Sequence, residues 1–485
     1  MQRRDEPILV VGAGVTGLCA AVSLARAGRA VEVWEAAEQP GGLLQPQLFA
    51  GMPCDLGSHR VHGDALPILR AAAPGLDWAE RPRRGSLIFC SNQPTPRTPP
   101  FPSPTDPACR HVPYPLRLDG FLRGLGPLAA TRFGLSFLRR EASLRKFLRW
   151  EADRSVAASR DDGDRDPGFA TFVRERTGEA AFQAFYRPYV EKVWGLPADE
   201  ISSSVAKKRV STAKPLSVLR EALGGLLSSR PASAGTYLYP TQGIGAMVHS
   251  LAAEAQALGV RFQYQRAFQR EDLQTQRRPI IYTGHLADLA QLSDGPERLG
   301  LQHRGLYLIY LAFPGQILGS VDTYYIPGSS LWFGRVSVPA NFSPALAPAA
   351  QSLLCVEIPE GTWGPDQDFL APEPQAELLR QLSRAGILPS RAGSPPQPTA
   401  SRQIFLPRVY PLYRRGWLAA WRSELSALAS HGSLYPAGRQ GLFLHCNIDH
   451  CVQIAHDLTE HLLAGQASPA WLARCEAYLD VRVRD

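Results

Sequence analysis

The sequence predicts an α/β fold with two domains, and three observations support this prediction. From Ile8 to Trp34 an apolar strand-like run, a glycine-rich turn, a helical pattern and a second strand-like run follow one another. Later in the chain a helical pattern ending near Leu258 precedes another strand-like run, Val260 to Tyr264. Such alternation is typical of parallel sheets covered by helices. The 485 residues, 45% of them hydrophobic, suffice for a large core shared between two domains.

The charge pattern indicates which kinds of binding partner to expect. The formal net charge is +8, from 52 basic and 44 acidic residues, and the signs alternate without a block of five like charges. Basic and aromatic residues are not interleaved as nucleic-acid channels require, and the sequence contains neither a GxxxxGK[ST] phosphate loop nor a GxSxG nucleophile turn. We therefore expect a small-molecule substrate and no nucleic-acid partner. The sequence leaves the oligomeric state open.

Cysteine usage and the first apolar segment bear on location. None of the eight cysteines lies in a CxxC pair, which fits a reducing compartment better than a disulfide framework, so we expect a cytoplasmic protein. Residues 8–25 are uncharged and follow two arginines, as in a signal peptide or a membrane span. The three regularly spaced glycines inside the segment argue against both.

Those glycines are Gly12, Gly14 and Gly17, in the GxGxxG pattern of a dinucleotide-binding turn. Gly12 permits the tight turn, Gly14 lets the backbone approach a pyrophosphate, and Gly17 lets the helix pack against the strand. The helix N-terminus, with Val15 and Thr16 in its first turn, then faces the phosphates. Glu35 closes the second strand and would accept hydrogen bonds from the ribose hydroxyls.

The residues after Glu35 suggest which dinucleotide binds. Gln39-Pro40-Gly41-Gly42 is followed by Cys54-Asp55-Leu56-Gly57-Ser58-His59-Arg60. These segments resemble the flavin domain of the amine oxidase, protoporphyrinogen oxidase and UDP-galactopyranose mutase superfamily. The resemblance implies FAD as the cofactor, with Gly41, Gly42 and Leu43 along the diphosphate and His59 and Arg60 near the flavin. Leu43 stands where monoamine oxidases usually have Arg, so a strict monoamine oxidase is not expected.

The middle of the chain contains two unusual stretches. Residues 94–115 hold nine prolines, which predicts an extended surface loop without helix or central strand. Residues 116–150 combine eight basic residues with Leu and Phe in helical patterns. A basic amphipathic helix can bind a membrane surface, but we favour the solvated face of a helix in a substrate domain.

A third segment supplies candidate catalytic residues. Phe185 to Gly195, with Tyr189, Lys192 and Trp194, resembles a segment shared by UDP-galactopyranose mutases and protoporphyrinogen-oxidase-like flavoproteins. Two aromatic residues around a lysine can flank a planar or anionic substrate, and a buried turn between helices is the alternative. Arg335 lies in an aromatic-rich stretch and is the first candidate for an anion-binding residue, with an ion pair to a carboxylate as its alternative. His59 completes the catalytic candidates.

The closing signature runs from Ala437 to His450 and leads into a helix. It resembles the Gly-Arg-x-Gly to Asn-Met-Asp segment of the same superfamily. The resemblance places Gly438 and Arg439 beside the FAD diphosphate and ribitol, and the helix that begins near Asn447, Ile448 and Asp449 at the flavin. A helix N-terminus suits the negative charge of reduced flavin.

Two alternatives exist for this closing signature. His445, Cys446, His450 and Cys451 have spacings at which zinc can bind, but the resemblance to a flavin-binding loop favours no metal. Covalent attachment of FAD through Cys446 or Cys451 is a further alternative.

Together these observations predict an α/β protein with a Rossmann-type, glutathione-reductase-like FAD-binding domain and an inserted mixed α+β substrate domain. The FAD-binding domain is expected to comprise residues 1–90, 236–285 and 402–485, and the substrate domain residues 91–235 and 286–401. Between Tyr264 and Pro279 only about fifteen residues are available, too few for the three-stranded meander of the family. The contacts on the adenine side should therefore differ.

The predicted function is that of an FAD-dependent oxidoreductase that oxidises a small molecule by hydride transfer to the flavin. The first alternative is a mutase-like isomerase of a nucleotide sugar, whose diphosphate Arg335 could bind. The second is a flavin-bearing scaffold without turnover. Substrate, electron acceptor and catalytic base are not determined by the sequence.

Overall fold

The computed structural model describes residues 6–90, 109–114, 166–209, 235–293, 301–346, 350–363, 368–390 and 394–483. The basic stretch 116–150 lies outside these residues. The strands are β1 (Ile8–Val11), β2 (Val31–Trp34), β3 (Gln47–Phe49), β4 (Met52–Cys54), β5 (Trp78–Pro82), β6 (Gly85–Cys90), β7 (Cys109–Tyr114), β8 (Thr236–Pro240), β9 (Arg261–Gln263), β10 (Ile280–Tyr282), β11 (His303–Pro314), β12 (Thr323–Tyr325), β13 (Arg335–Ser337), β14 (Gln351–Pro359), β15 (Ala400–Pro411) and β16 (Leu434–Pro436).

The α-helices of the described residues are α1 (Val15–Arg26), α2 (Leu66–Ala72), α3 (Gly168–Thr177), α4 (Glu179–Ala181), α5 (Arg187–Trp194), α6 (Ser203–Arg209), α7 (Ile244–Ala257), α8 (Arg270–Thr275), α9 (Leu286–Leu292), α10 (Pro339–Phe342), α11 (Pro372–Arg384), α12 (Trp417–Leu428), α13 (Gly438–Gly441), α14 (Ile448–Leu463) and α15 (Ser468–Arg474). A π-helical turn, Phe182–Tyr186, joins α4 to α5. Of the described helices, none is long and apolar enough to cross a bilayer.

The chain forms two compact units. Unit 1 comprises residues 1–81, 237–303 and 416–485, and unit 2 comprises residues 82–236 and 304–415. Both units are therefore built from separated stretches of sequence.

Unit 1 contains a five-stranded sheet in the order β16-β10-β1-β2-β9, in which all neighbouring strands are parallel. The central strand β1 is Ile-Leu-Val-Val and is buried throughout, as expected of a parallel strand covered on both faces. Its carboxyl end leads into the glycine turn and α1. This arrangement confirms the predicted α/β fold with a Rossmann-type domain.

Helix α1 is buried on nearly every side. Nine of its twelve residues are buried, so it is a core helix and not an amphipathic surface helix. Gly17 makes its close packing on β1 feasible, because a Cβ at this position would collide with the carbonyl oxygen of Gly12 and lie 3.1 Å from Cγ1 of Val10.

The connection between β9 and β10 is short, as the sequence predicted. A single helix, α8, occupies it in place of a meander. Gln269 and Asp272 form a reciprocal capping box at the N-terminus of α8, which fixes the start of the helix.

Unit 2 contains a seven-stranded sheet in the order β15-β11-β14-β13-β12-β6-β7. Antiparallel pairs predominate, and β12 pairs with β6 in parallel. One face of the sheet packs against α11 through a core that includes Ile309, Val356 and Leu378. The mixed sheet confirms the predicted α+β character of the second domain.

The structure corrects one detail of the proline-rich stretch. Within residues 94–115, Cys109–Tyr114 forms strand β7, where a surface loop without helix or central strand was predicted. Strand β7 lies at the edge of its sheet, and an edge strand tolerates Pro113 because the missing amide can face away from the ladder. Residues 94–108 and Pro115 lie outside the described part of the chain.

A disulfide also departs from the expectation. Cys90 and Cys109 are paired across β6 and β7 and are joined by a disulfide. The six other cysteines form no disulfide and are buried. The bond joins two cysteines that are 19 positions apart in the sequence, and such a link stabilises a fold by restricting the unfolded chain. The cysteine pattern favoured a reducing compartment over a disulfide framework, and this bond departs from that expectation.

Candidate functional site

Three separated segments of unit 1 meet at the N-terminus of α1. The backbone of Gly41 pairs with that of Gly14, and the Gly41 amide donates to the carbonyl oxygen of Ala13 at 2.9 Å. A Cβ on Gly42 would lie 3.7 Å from the Cα of Gly14, and a Cβ on Gly438 would collide with the side chain of Thr16. The glycine turn, the second glycine pair and the closing signature thus lie against one another and form one backbone surface.

Gly14 leaves room for a ligand at this surface. It is the N-cap residue of α1, and the helix has neither a capping side chain nor an acidic residue in its first turn. A Cβ on Gly14 would have no atom within 4 Å. An uncapped helix N-terminus presents unpaired amides and a partial positive charge, which together suit a phosphate.

Gly12 holds the turn that aims this helix. Its φ is +99°, a conformation that favours glycine. The Thr283 hydroxyl occupies the space where a Cβ would stand and donates to the carbonyl oxygen of Val11 at 2.9 Å. Thr283 follows β10, so a neighbouring strand fixes the shape of the glycine turn.

Glu35 is oriented by two backbone amides. Its carboxylate accepts hydrogen bonds from Ala13 at 2.7 Å and from Ala37 at 2.9 Å. These bonds hold the side chain beside the glycine turn, at the carboxyl end of β2. Each carboxylate oxygen can accept a second bond, so Glu35 retains capacity for ribose hydroxyls.

Asp55 anchors the segment that carries His59 and Arg60. Its carboxylate is buried and accepts hydrogen bonds from the Tyr239 hydroxyl and, at 3.2 Å, from the amide of Ile244. Burial raises the pKa of Asp55 to about 6, although these hydrogen bonds act in the opposite direction. Asp55 therefore caps α7 from a distant part of the chain and ties the two segments together.

His59 and Arg60 are both half-buried in unit 1. The Arg60 guanidinium lies 5.1 Å from the ring centroid of Tyr237, a distance at which a cation and an aromatic face attract each other. Leu43, in the turn after the second glycine pair, is also half-buried.

Arg439 spans the turn of the closing signature. Its guanidinium donates to the carbonyl oxygen of Cys446 at 2.6 Å and lies 3.3 Å from Nδ1 of His445. Arg439 is half-buried and occupies α13, which follows β16. Its positive charge adds to the electrostatic preference of this surface for an anion.

The N-terminus of α14 is preorganised by a capping box. Asn447 and His450 exchange bonds between side chain and backbone, and the Asn447 amide donates to Nδ1 of His450 at 3.1 Å. Ile448 and Asp449 are buried in the first turn. One oxygen of Asp449, Oδ1, has no hydrogen-bond partner among the described residues. A buried acceptor without a hydrogen bond destabilises the folded protein unless a ligand donates to it.

These features fit a dinucleotide. Two helix N-termini, an oriented acid at the end of β2 and the open space over Gly14 supply what a pyrophosphate and a ribose require. Within the described ranges, no three His, Cys, Asp or Glu side chains come together in a way that could hold a metal ion. Cys446 and Cys451 instead lie side by side, with their Sγ atoms 3.7 Å apart.

In unit 2, Lys192 points into the protein. Its ammonium group is buried and donates to the carbonyl oxygens of Ile326 at 3.2 Å and Phe333 at 3.0 Å. Burial lowers the pKa of Lys192 to about 7. The side chain therefore connects α5 to the segment between β12 and β13.

Trp194 and Gly195 complete a packing motif. Trp194 is 1% exposed and lies 6.2 Å from the ring of Tyr410. Gly195 ends α5 at a φ of +67°, and a Cβ there would collide with the guanidinium of Arg304. Arg304 donates to the carbonyl oxygens of Lys192 and Glu360. Of the two interpretations of this segment, these contacts favour the buried turn.

Tyr189 differs from its neighbours in the motif because it is only half-buried. Its ring stacks on that of Phe185 at 5.8 Å with an interplanar angle of 9°. Phe185 lies on the π-helical turn and also contacts Phe89 and Tyr186. Tyr189 thus belongs to an aromatic cluster on unit 2, and π-helical turns often occur at functional sites.

Arg335 is paired with a carboxylate. Its Nε and Nη2 atoms each lie 2.7 Å from an oxygen of Glu357, which is 2% exposed. Burial acts to lower the pKa of Arg335, but the Glu357 charge outweighs it and raises the pKa further above its ordinary value. This geometry corresponds to the ion-pair alternative for Arg335.

Three residues that shape the site were not predicted from the sequence. Asp55 lies in the Cys54 to Arg60 motif but was given no role there. The Leu56-Gly57 pair that follows it was the sequence signal that could have identified it. No sequence pattern marks Thr283 or Arg304. Each fills the space beside a glycine that is far away in the sequence, Gly12 and Gly195 respectively.

Comparisons with known proteins agree with this geometry. Residues 10–72 match the family model described as an NAD(P)-binding Rossmann-like domain. No curated protein sequence matches the chain. Among solved structures, reduced UDP-galactopyranose mutase is similar, with a TM-score of 0.74 and 18% identity, covering 99% of this chain and 100% of that one.

Two oxidases are similar as well. A proposed protoporphyrinogen oxidase from Exiguobacterium sp. 255-15 has a TM-score of 0.65 and 14% identity, covering 95% of this chain and 99% of that one. Wild-type putrescine oxidase bound to putrescine has a TM-score of 0.56 and 14% identity, covering 96% and 99%. These likenesses confirm, at the level of the fold, the predicted resemblance to the amine oxidase, protoporphyrinogen oxidase and mutase superfamily.

Proposed function

We propose that this protein is an FAD-dependent oxidoreductase that oxidises a small molecule. The observation that carries the proposal is the convergence of Gly14, Gly42 and Gly438 at the uncapped N-terminus of α1. An arrangement of two glycine segments and a closing segment is more than a single nucleotide turn requires, and it is the one that the resemblance to flavin domains implies.

Different residues of unit 1 would bind different parts of the cofactor. Gly14, Val15, Thr16 and Gly42 would line the diphosphate, and Glu35 would bind the adenosine ribose. Arg439 would contribute positive charge. The N-terminus of α14, with Ile448 and Asp449, would face the flavin, where helix amides stabilise negative charge. When bound, FAD would supply the hydride acceptor.

The contacts in unit 2 favour an oxidoreductase over a nucleotide-sugar mutase. A mutase needs cations to hold the diphosphate of its substrate, and Arg335 was the candidate for this task. In the structure Arg335 is held by Glu357, and Arg304 by backbone carbonyls. Among the described residues of unit 2, these two half-buried arginines are committed to internal partners. The aromatic cluster around Tyr189 suits an apolar or planar substrate.

The mutase nevertheless is a second candidate, which one observation favours. The likeness to reduced UDP-galactopyranose mutase extends over nearly the whole of both chains, with the TM-score of 0.74. That enzyme class would use this site without net oxidation of its substrate. The test therefore has to separate redox turnover from isomerisation.

The test is the visible spectrum of the purified protein, first as isolated and then after acid precipitation. We expect a flavin spectrum whose chromophore is released into the supernatant, because nothing in the geometry requires a covalent bond. Amines and porphyrinogens are then added separately under anaerobic conditions. Bleaching by one of them supports the oxidoreductase.

Two other outcomes would redirect the proposal. If sugar ring isomers form from UDP-galactopyranose only after dithionite reduction, the mutase is correct. If the protein is yellow but turns over no substrate of either class, the scaffold becomes the better explanation. A colourless, folded protein that cannot be reconstituted with FAD would contradict the cofactor assignment itself.

A further inference from the structure

Two cysteines lie on either side of the N-terminus of α14. Cys446 directly precedes the N-cap residue Asn447, and Cys451 is the fourth residue of the helix. In many helices an apolar residue before the N-cap packs on the fourth helical residue, which fixes the direction of the entering chain. Here both positions hold thiols, which are buried with their Sγ atoms 3.7 Å apart.

We propose that Cys446 and Cys451 form a redox-active dithiol that closes to a disulfide when a peroxide oxidises the native protein. The two sulfur atoms are already in contact, and a bond would bring them to about 2.05 Å. Both residues belong to one capped helix start, so closure involves a single short segment of the chain.

The surroundings favour Cys451 as the thiol that reacts first. The hydrogen bond with Cys446 lowers the pKa of Cys451, and the Arg439 charge and the Thr16 hydroxyl lower it further, while burial opposes them. The thiolate is the reactive form of cysteine. Cys19, on the adjacent helix α1, is the competing neighbour. Burial raises its pKa to about 12, so Cys19 remains a thiol.

The reaction balances with one peroxide molecule. The Cys451 sulfur attacks one oxygen of hydrogen peroxide, the O–O bond breaks, and Cys451 becomes a sulfenic acid while water is released. The Cys446 sulfur then attacks the sulfur of this sulfenic acid. The S–S bond forms, the S–O bond breaks, and a second water carries away the hydroxyl group and the thiol proton. Two thiols are oxidised and the peroxide is reduced to two waters.

Formation of the Cys446–Cys451 disulfide would affect the turn that carries Asn447, which is also part of the proposed cofactor site. Arg439 donates to the carbonyl oxygen of Cys446, and Thr16 contacts Cys451 from the first turn of α1. A disulfide would therefore shift or lock the turn that carries Asn447. Its effect on FAD rests on the proposed function, whereas formation of the disulfide does not.

The test maps the cysteines after hydrogen peroxide treatment of the full-length native protein. Trypsin leaves Cys446 and Cys451 together in one peptide, Gln440 to Arg474, which contains no internal Lys or Arg and no other cysteine. We expect this peptide to lose two hydrogen atoms in mass and to resist alkylation, and dithiothreitol to reverse both changes. Cys90 and Cys109 fall in separate peptides, so their disulfide is an internal reference.

Three results would overturn the proposal. The first is full alkylation of Gln440 to Arg474 under peroxide that visibly oxidises other thiols. The second is a cross-link between that peptide and Asp5 to Arg26, which contains Cys19. The third is a loss of two hydrogen atoms that persists in Cys446→Ser, where we expect dimedone to trap a sulfenic acid on Cys451 instead. Cys355→Ser, a buried cysteine in the sheet of unit 2, is the matched control and should leave the disulfide unchanged.

Discussion

The candidate residues of the two units have contrasting environments. In unit 1 a Cβ on Gly14 would meet no atom within 4 Å, and Asp449 keeps one buried oxygen without a hydrogen-bond partner among the described residues. In unit 2 Lys192, Trp194 and Arg335 are all engaged by internal partners. Motifs that shape the backbone around a ligand and motifs that pack a core can therefore look equally specific in a sequence.

The difference follows from what each motif has to do. A glycine turn must present bare backbone, so its residue types reveal both the geometry and the ligand class. The Tyr189 to Gly195 segment combines an aromatic residue, a lysine and a glycine, and these residue types serve equally well in a substrate pocket or in a core. Only the position of a partner such as Arg304 or Glu357 separates the two cases.

The first prediction tests the open space in unit 1. Gly14→Val should weaken FAD binding by at least about 100-fold, because the new side chain would occupy the place of the phosphate and remove two or more charge-assisted hydrogen bonds of about 1.5–3 kcal/mol each. Flavin absorbance after desalting measures retention. Gly75→Val is the matched control, since a Cβ there also has no atom within 4 Å. A folded, fully yellow Gly14→Val variant would disprove the site.

The second prediction concerns the buried lysine of unit 2. The pKa of Lys192 is about 7 in the folded state and 10.5 ordinarily, so the unfolded chain holds a proton that the folded chain lacks between these values. Stability should rise with pH over this range, by up to about 5 kcal/mol. Lys192→Met should remove the rise in chemical denaturation curves, and the exposed Lys207→Met should not. An unchanged slope in Lys192→Met would show that another group is responsible.

The third prediction tests whether Arg335 serves the core or a ligand. Arg335→Met would leave the buried Glu357 without its counter-charge and should cost about 3–5 kcal/mol of unfolding free energy. The double variant Arg335→Met/Glu357→Met should recover much of this loss. Arg380→Met, at an exposed ion pair with Glu377, should cost less than about 1 kcal/mol. A single variant that is stable but has a raised KM would favour anion binding by Arg335.

The fourth prediction concerns the carboxylate of Asp55 in unit 1, whose pKa is shifted as that of Lys192 is in unit 2. The pKa of Asp55 is about 6 in the folded state against 3.8 ordinarily, so between these values the folded chain holds the extra proton. Stability should therefore fall as pH rises from about 4 to 6, by up to about 3 kcal/mol. Asp55→Asn should abolish the fall. Tyr239→Phe removes a donor to the carboxylate and should extend the fall to higher pH; a shift to lower pH would contradict the assignment.

The sequence anticipated the architecture better than the individual contacts. The α/β class, the glycine turn and the short β9–β10 connection followed from local patterns of residue type. Strand β7 was missed because prolines argue against strands in general, although an edge strand accepts them. The Cys90–Cys109 disulfide was missed because its partners meet only through the pairing of β6 and β7, which spacing alone does not reveal.

The sheet order of unit 1 has a consequence for how the protein is made. Strand β16 pairs with β10, which pairs with β1, and Gly438 closes against Thr16. The binding surface is therefore complete only after the ribosome has added nearly four hundred residues beyond Gly42. At about 5–20 residues per second this takes roughly 20–80 s. During that time the apolar helix α1 lacks its partner α14, and transiently exposed apolar surface of this kind favours aggregation of a nascent chain.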